Sequence, residues 1–278
     1  MKLRIVLGLL LATAPAAAQE LALRPFEREG LAAFSSGDNA TCARIFSAAA
    51  RKHRGEPSPP FVAARCYARL GDTANARKQL ALALQRGYRK CDNLGREEGL
   101  AKLADLRARC ESNAEAWMRA TNAELLAAYL ADRADRTGEI EDVDAVLRRD
   151  AGRRDVVKAA IQVDALRTAD DYFHAATVMQ HGSDAGDFAL ARELAKKAVA
   201  LRPWFAEARW LYAAATDRWL HATGKPQIYG TQYAMVNGKW SLEPFDANAL
   251  TDEERASWRV QSVAERRKFI DELNQQSQ

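Results

Sequence analysis

Residues 30–49 read GLAAFSSGDNATCARIFSAA, and residues 64–83 read ARCYARLGDTANARKQLALA. At an offset of 34 positions, Gly30, Ala33, Gly37-Asp38, Cys42, Phe46 and Ala49 fall on Ala64, Tyr67, Gly71-Asp72, Ala76, Leu80 and Ala83. The recurring order is small, larger, Gly-Asp, small, large apolar, small. Small residues let two helices approach closely. The glycine ends the first helix in a left-handed conformation that side chains resist. The large apolar residue fills the groove between successive hairpins. The spacing therefore predicts helical hairpins stacked side by side.

The same pattern resembles the tetratricopeptide repeat, whose period is 34 residues. That resemblance implies an α-solenoid over 22–118, with a groove lined by the first helix of each hairpin and suited to an unidentified protein or peptide partner. A third copy is expected downstream, where Gly186-Asp187 precedes Ala191, Ala195, Ala198 and Pro203. The segment Cys91–Trp117, with a short helix over Leu100–Arg109, is expected to close the repeat region.

Upstream, Lys2 and Arg4 flank the start of an apolar run, Ile5 to Leu11, that ends in Ala16-Ala17-Ala18. This order predicts a signal peptide over 1–18, cut before Gln19. A membrane anchor is the alternative, but the run is shorter than the roughly 20 apolar residues a bilayer requires. No cysteine follows the cut to take a lipid. A periplasmic or secreted protein with no membrane insertion after cleavage is expected. Without Lys2 and Arg4, 39 basic residues face 37 acidic ones, a net charge of +2 that argues against nucleic acid.

Four cysteines, Cys42, Cys66, Cys91 and Cys110, in an exported chain predict two disulfides. Three pairings are open, and chain order points to Cys42–Cys66 and Cys91–Cys110. In the repeat register Cys42 lies on a second helix and Cys66 on the next first helix, which pack together. Buried thiols are the alternative. No Cys-x-x-Cys is present, so no metal is expected from the cysteines.

Scarce glycine and proline and abundant alanine make the whole chain mainly α. Residues 119–278 read as a second helical domain. Its expected helices are Glu124–Arg136, Ala145–Arg167, one from Thr168 to Gly182, Phe188–Leu201 and Trp204–Thr223. Period-two runs flanking Asn237-Gly238 predict a type I′ β-hairpin near 233–242. Tyr233, Met235, Trp240 and Leu242 would share its packed face. Thr251 to Glu254 is a capping box expected to open one helix reaching Asn274.

Three polar groups break this apolar pattern: Gln180-His181, Asp217-Arg218 and Gln227-Ile228-Tyr229-Gly230-Thr231-Gln232. In this order they resemble an uncharacterised bacterial domain family with Gln-His, Asp-Arg and Gln-x-Tyr-Gly-Thr-Gln motifs. The resemblance runs from Glu124 to Tyr233 and takes in an upstream Asp132/Arg136 pair. Where the family often carries a second, acid-containing pair after the histidine, this chain has Gly182-Ser183-Asp184. The resemblance implies a site address and no reaction.

Read chemically, Gln180, His181, Asp217, Arg218, Gln227, Tyr229, Thr231 and Gln232 are candidates for one polar pocket. It would bind a small ligand or act in a hydrolase-like enzyme, with His181 as general base. The alternative is a structural network, with His181 capping its own helix and Arg218 tying down the Tyr-Gly-Thr-Gln loop. His174 and His181 with Asp132 or Asp170 could hold a metal, but seven residues is a long reach on one helix. No Gly-x-Ser-x-Gly elbow or lone reactive cysteine is present, and no catalytic residue, metal or cofactor is assigned.

Overall fold

The computed structural model describes residues 21–137 and 142–276. The expected signal peptide lies outside them. The protein is mainly α with one two-stranded antiparallel sheet. It divides into two compact units, one spanning Leu23–Ala120 and the other beginning at Thr121 and including Ala22.

In the first unit α1 (Pro25–Ser36), α2 (Asn39–Lys52), α3 (Ser58–Arg69) and α4 (Thr73–Gln85) form two hairpins. Gly37 and Gly71 both turn the chain at positive φ, 83° and 72°. The aspartates behind them start the next helix, Asp38 accepting from the Thr41 N–H and Asp72 from the Asn75 N–H, each at 3.0 Å. Gly30 must be small, because a Cβ there would stand 2.5 Å from the Phe46 ring. Cys42 and Cys66 are bonded across α2 and α3 with Cα atoms 6.0 Å apart, and Cys91 to Cys110 at 5.7 Å.

The closing segment is longer than the expected helix. A 3-10 turn (Cys91–Arg96) leads into α5 (Glu98–Ala101), and α6 runs the full length of Ala104–Ala120. Leu94, Leu100 and Leu106 carry it onto Leu80 and Leu84 of α4.

The second unit holds α7 (Ala123–Ala134), α8 (Val143–Gln162), α9 (Ala169–Met179), α10 (Ala185–Leu201) and α11 (Ala206–Ala222) around Leu125, Val157, Met179, Leu194 and Leu211. Then come β1 (Ala234–Val236), β2 (Lys239–Ser241), α12 (Asp252–Ser257) and α13 (Val263–Gln276). Helix α8 stops short of Arg167, since Asp164 takes a positive φ of 48°. Gly186-Asp187, placed by the repeat register at a turn, lies inside the first turn of α10, which Asp184 caps. The small residues of that copy, Ala191, Ala195 and Ala198, are nonetheless fully buried.

Met235 pairs with Trp240 around a turn with positive φ at Asn237 and Gly238. Tyr233, Trp240 and Leu242 pack on Phe269, Ile270 and Leu273. Met235 departs from the expected packed face and is 45% exposed, because it sits at the turn end beyond the reach of α13. The expected single C-terminal helix is two. Arg259, at φ 63°, breaks it, and its backbone carbonyl accepts from the Ala22 N–H at 2.9 Å. Among the described residues no helix is long and apolar enough to cross a membrane.

Candidate functional site

The eight expected site residues do not form one cluster. They separate into a locked loop around Asp217 and a charged centre around His181. Adjacent residues of α11 serve the two, because successive helical side chains diverge by about 100°.

Asp217 is fully buried. One carboxylate oxygen accepts the N–H groups of Ile228 and Tyr229 at 2.9 and 3.0 Å. The other accepts the N–H and hydroxyl of Thr231 at 2.9 and 2.7 Å. Burial pushes this carboxyl above its ordinary range, and the bonds from Tyr229, Thr231 and Ile228 pull it back. The loop carbonyls face two other cations. Arg255 donates to the Ile228 carbonyl, and Arg266 to that of Gly230 at 2.8 Å.

Gln227 stitches the loop ends together. Its amide oxygen accepts the Gln232 N–H at 3.0 Å, and its amide nitrogen donates to the Gln232 carbonyl at 2.8 Å and to that of Leu242. Gln232 in turn donates to the Thr231 hydroxyl at 2.9 Å and the Ala214 carbonyl at 3.4 Å. Gly230, at φ 77°, lies against the Phe245 ring, and Tyr229 is buried beside Ala213 and Val260. Gln227, Tyr229, Thr231 and Gln232 are thus drawn into holding the chain. The loop is tied by Asp217, Arg255 and Arg266, and not by Arg218 as the structural alternative expected.

His181 follows α9, whose C-cap is Gln180. It does not cap its own helix. Its Nδ1 meets Asp132 Oδ1 of α7 at 2.9 Å, and Arg154 instead donates to its backbone carbonyl at 3.1 Å. Asp132 is fully buried and also accepts from Arg136 at 2.8 Å. An acceptor on that side requires the tautomer with the proton on Nδ1. Burial lowers the His181 pKa, with the Asp132 charge opposing the fall and Arg136 and Arg218 adding to it. At neutral pH the imidazole is therefore uncharged. Nothing among the described residues hydrogen-bonds to its Nε2.

A ladder of ion pairs extends behind Asp132. Arg136 reaches Asp150 at 2.7 Å, Arg153 bridges Asp150 at 2.7 Å to Asp135, and Arg149 grips Asp135 at 2.8 and 2.9 Å. Arg149, Asp150 and Arg153 come from α8 and carry no local motif, whereas Asp135 and Arg136 follow α7. Asp187 of α10 pairs with Arg154 at 3.2 Å and Lys158 at 3.3 Å, packed so closely on Gly182 that a Cβ there would lie 2.2 Å from its own.

Arg218 is a buried cation on α11. It is 6% exposed, and no hydrogen bond or ion pair reaches it among the described residues. Its guanidinium lies 5.9 Å from the Phe188 ring centre and within electrostatic range of Asp132, Arg136 and His181. Burial, with Arg136 adding to it and Asp132 opposing, brings its pKa down to about 9, so it stays charged at neutral pH. Gln180 adds a buried amide oxygen without a donor.

His174 does not join His181. It stacks on Tyr129 at 4.5 Å. Among the described residues no three His, Cys, Asp or Glu side chains gather closely enough to hold a metal. No protein-family model matches the chain. A comparison with curated proteins also returns no match.

Proposed function

We propose that this is an exported protein, periplasmic or secreted, whose second unit binds a small anion between Arg218 and His181. The observation that carries the reading is Arg218, a largely buried cation whose Nε has no partner and that forms no ion pair among the described residues. Removing an ion from water without a partner costs several kcal/mol. A bound oxyanion would offset that cost, and His181 lies within electrostatic range of Arg218. The leader sequence and the two disulfides support export.

The test is thermal unfolding with dimethyl phosphate, acetate and chloride. A ligand at 100 times its Kd raises stability by about 2.7 kcal/mol. Dimethyl phosphate or acetate should raise the Tm of the native chain and leave that of Arg218→Met unchanged. Equal responses of both proteins would refute the reading.

A second function is proposed for the first unit. Its two hairpins keep the 34-residue register of a tetratricopeptide-like scaffold, which supports recognition of a protein partner. Cross-linking the native chain in its own envelope should map partner contacts to α1 and α3. Contacts confined to the second unit would exclude it.

A further inference from the structure

We propose that the first unit carries an anion site of its own, a recess between α2 and α4 that takes a small polyanion bearing two or three phosphate or carboxylate groups. The site goes beyond the anion reading of the second unit and does not depend on it.

The recess has a volume of about 510 Å³ and is lined by Arg51, Arg54, Leu82, Gln85 and Arg86. Arg51 belongs to the last turn of α2, and Arg54 to the link that follows. Leu82 and Gln85 stand three residues apart on one face of α4, and Arg86 is its C-cap. Leu82 and Arg86 are half-buried and give the inner side of the recess. Arg51, Arg54 and Gln85 are exposed and give its outer side.

Arg86 is held in place before any ligand arrives. Its guanidinium donates to the carbonyls of Ala50 at 3.0 Å, His53 at 3.2 Å and Glu56 at 3.1 Å, at the end of α2 and just beyond it. These three bonds leave at least two of its five N–H groups for a ligand. Arg51 and Arg54 have no ion pair or side-chain hydrogen bond among the described residues.

The charge around the recess is one-sided. Helices α2 and α4 with the C-cap Arg86 carry Arg44, Arg51, Lys52, Arg77, Lys78 and Arg86, and no aspartate or glutamate. Acids on the neighbouring elements are engaged elsewhere. Glu56 and Glu27 share Arg24 at 2.6 and 2.7 Å, Glu97 holds Arg65 and Arg69, and Asp105 holds Arg77 of α4. Glu29 of α1 is exposed and forms no ion pair with these cations. His53, in the link, has its pKa lowered by burial and is uncharged at neutral pH. Arg51, Arg54 and Arg86 therefore repel one another across one recess, and a bound polyanion relieves that repulsion.

The ligand class follows from the lining. Arginine forks match phosphate and carboxylate oxygens in pairs. Three of them exceed what a single charge can satisfy. The recess also falls in the range of about 300–1,000 Å³ that holds whole organic ligands, so one phosphate or acetate would leave most of it empty. Leu82 offers an apolar contact to the carbon skeleton, and the Gln85 amide can both donate and accept.

The experiment is isothermal titration calorimetry of the purified full chain, disulfides intact, with tripolyphosphate, citrate and inorganic phosphate. It is run in about 0.02 M salt, because exposed charges are screened at higher ionic strength. Tripolyphosphate or citrate should bind the native chain and Arg218→Met alike, and more tightly than inorganic phosphate. Whichever of the two binds better tells phosphate from carboxylate. The double variant Arg51→Gln/Arg54→Gln should lose about 10-fold or more in affinity. Arg107→Gln/Arg119→Gln removes the same charge from exposed positions of α6 outside the recess and should change affinity by less than about 2-fold. Unchanged urea midpoints in both variants show that the fold is intact.

An equal loss in the two double variants would reduce the effect to net charge and overturn the site. So would full affinity in Arg51→Gln/Arg54→Gln, or inorganic phosphate binding as tightly as the polyanions. Polyanion binding that disappears in Arg218→Met would move the ligand to the second unit. If no polyanion binds, this site falls, while the Arg218 reading keeps its separate test with monoanions.

Discussion

His181 Nδ1 rests 2.9 Å from Asp132 Oδ1, joining the end of α9 to a fully buried carboxylate on α7. This one contact holds the imidazole neutral-side out and couples its protonation to the stability of the unit. The charges of Asp132, Arg136 and Arg218 act on it, and Arg154 donates to its backbone carbonyl.

The first prediction concerns pH. Burial sets the folded His181 pKa below the ordinary value near 6.5. Beneath that value the unfolded chain binds a proton that the folded chain resists. The stability contributed is complete above about pH 6.5 and is lost as pH falls toward the folded pKa. His53 and His221 are also lowered by burial and act in the same direction. The informative quantity is therefore the difference between native and His181→Gln in urea unfolding. The variant should lose less stability between about pH 7.5 and 5. Parallel curves would mean that His181 titrates normally.

The second concerns the loop lock. Asp217→Ala removes the acceptor of three backbone N–H groups and the Thr231 hydroxyl, all buried except the partly buried N–H of Ile228. Each stranded donor costs about 1–3 kcal/mol. A loss on the order of 3 kcal/mol or more is expected, with amide exchange accelerated at Ile228, Tyr229 and Thr231. A loss below about 1 kcal/mol would show that water replaces the carboxylate.

Local signals in the sequence located the parts of the fold that local chemistry decides. Gly37-Asp38 and Gly71-Asp72 specify a left-handed turn followed by a cap, and Asn237-Gly238 specifies a tight hairpin. Thr168 and Thr251 each head a capping box. Where tertiary packing decides, the pattern was silent. Nothing near Arg259 marks the break between α12 and α13. Asp132 and His181 are 49 residues apart, and their pairing depends on how α7 packs against α9. The Tyr-Gly-Thr-Gln string stood out as a polar break in the apolar pattern ahead of the hairpin. Its partners Arg255 and Arg266 carry no such mark, and only coordinates reveal that the string is a clasp.

The third prediction is steric. Gly182→Ala would place a Cβ 2.2 Å from the Asp187 Cβ. Asp187 belongs to the first turn of α10 and is held by Arg154 and Lys158, so it cannot swing aside freely. Overpacking of this kind costs about 1–3 kcal/mol. A crystal structure of the variant should show the start of α10 displaced. An unmoved helix with native stability would contradict the close approach.

The fourth concerns the disulfides. Cys42–Cys66 and Cys91–Cys110 close segments of 24 and 19 residues. Loops of that size restrict the unfolded chain by about 3 kcal/mol each in the chain-entropy model. Reduction should speed amide exchange throughout α1 to α4 of the first unit. Unchanged protection there would mean that packing alone sustains the hairpins.

The last prediction sets stability against binding at Arg218. Its Nε is buried without a partner, and the charge of Arg136 acts against its own. Replacing a buried ion by an apolar side chain of similar length can stabilise a protein by about 1–4 kcal/mol. Methionine can follow the path of the arginine stem past Phe188 without a charge to solvate. Arg218→Met should therefore raise the urea midpoint of the ligand-free protein while abolishing its response to dimethyl phosphate or acetate. The two effects together mark a residue kept for a ligand at the expense of the fold. If Arg218→Met instead destabilises by about 3 kcal/mol or more, the guanidinium has a protein partner in solution. Asp132 would be that partner, because its Oδ2 is buried without a donor and its charge already acts on Arg218.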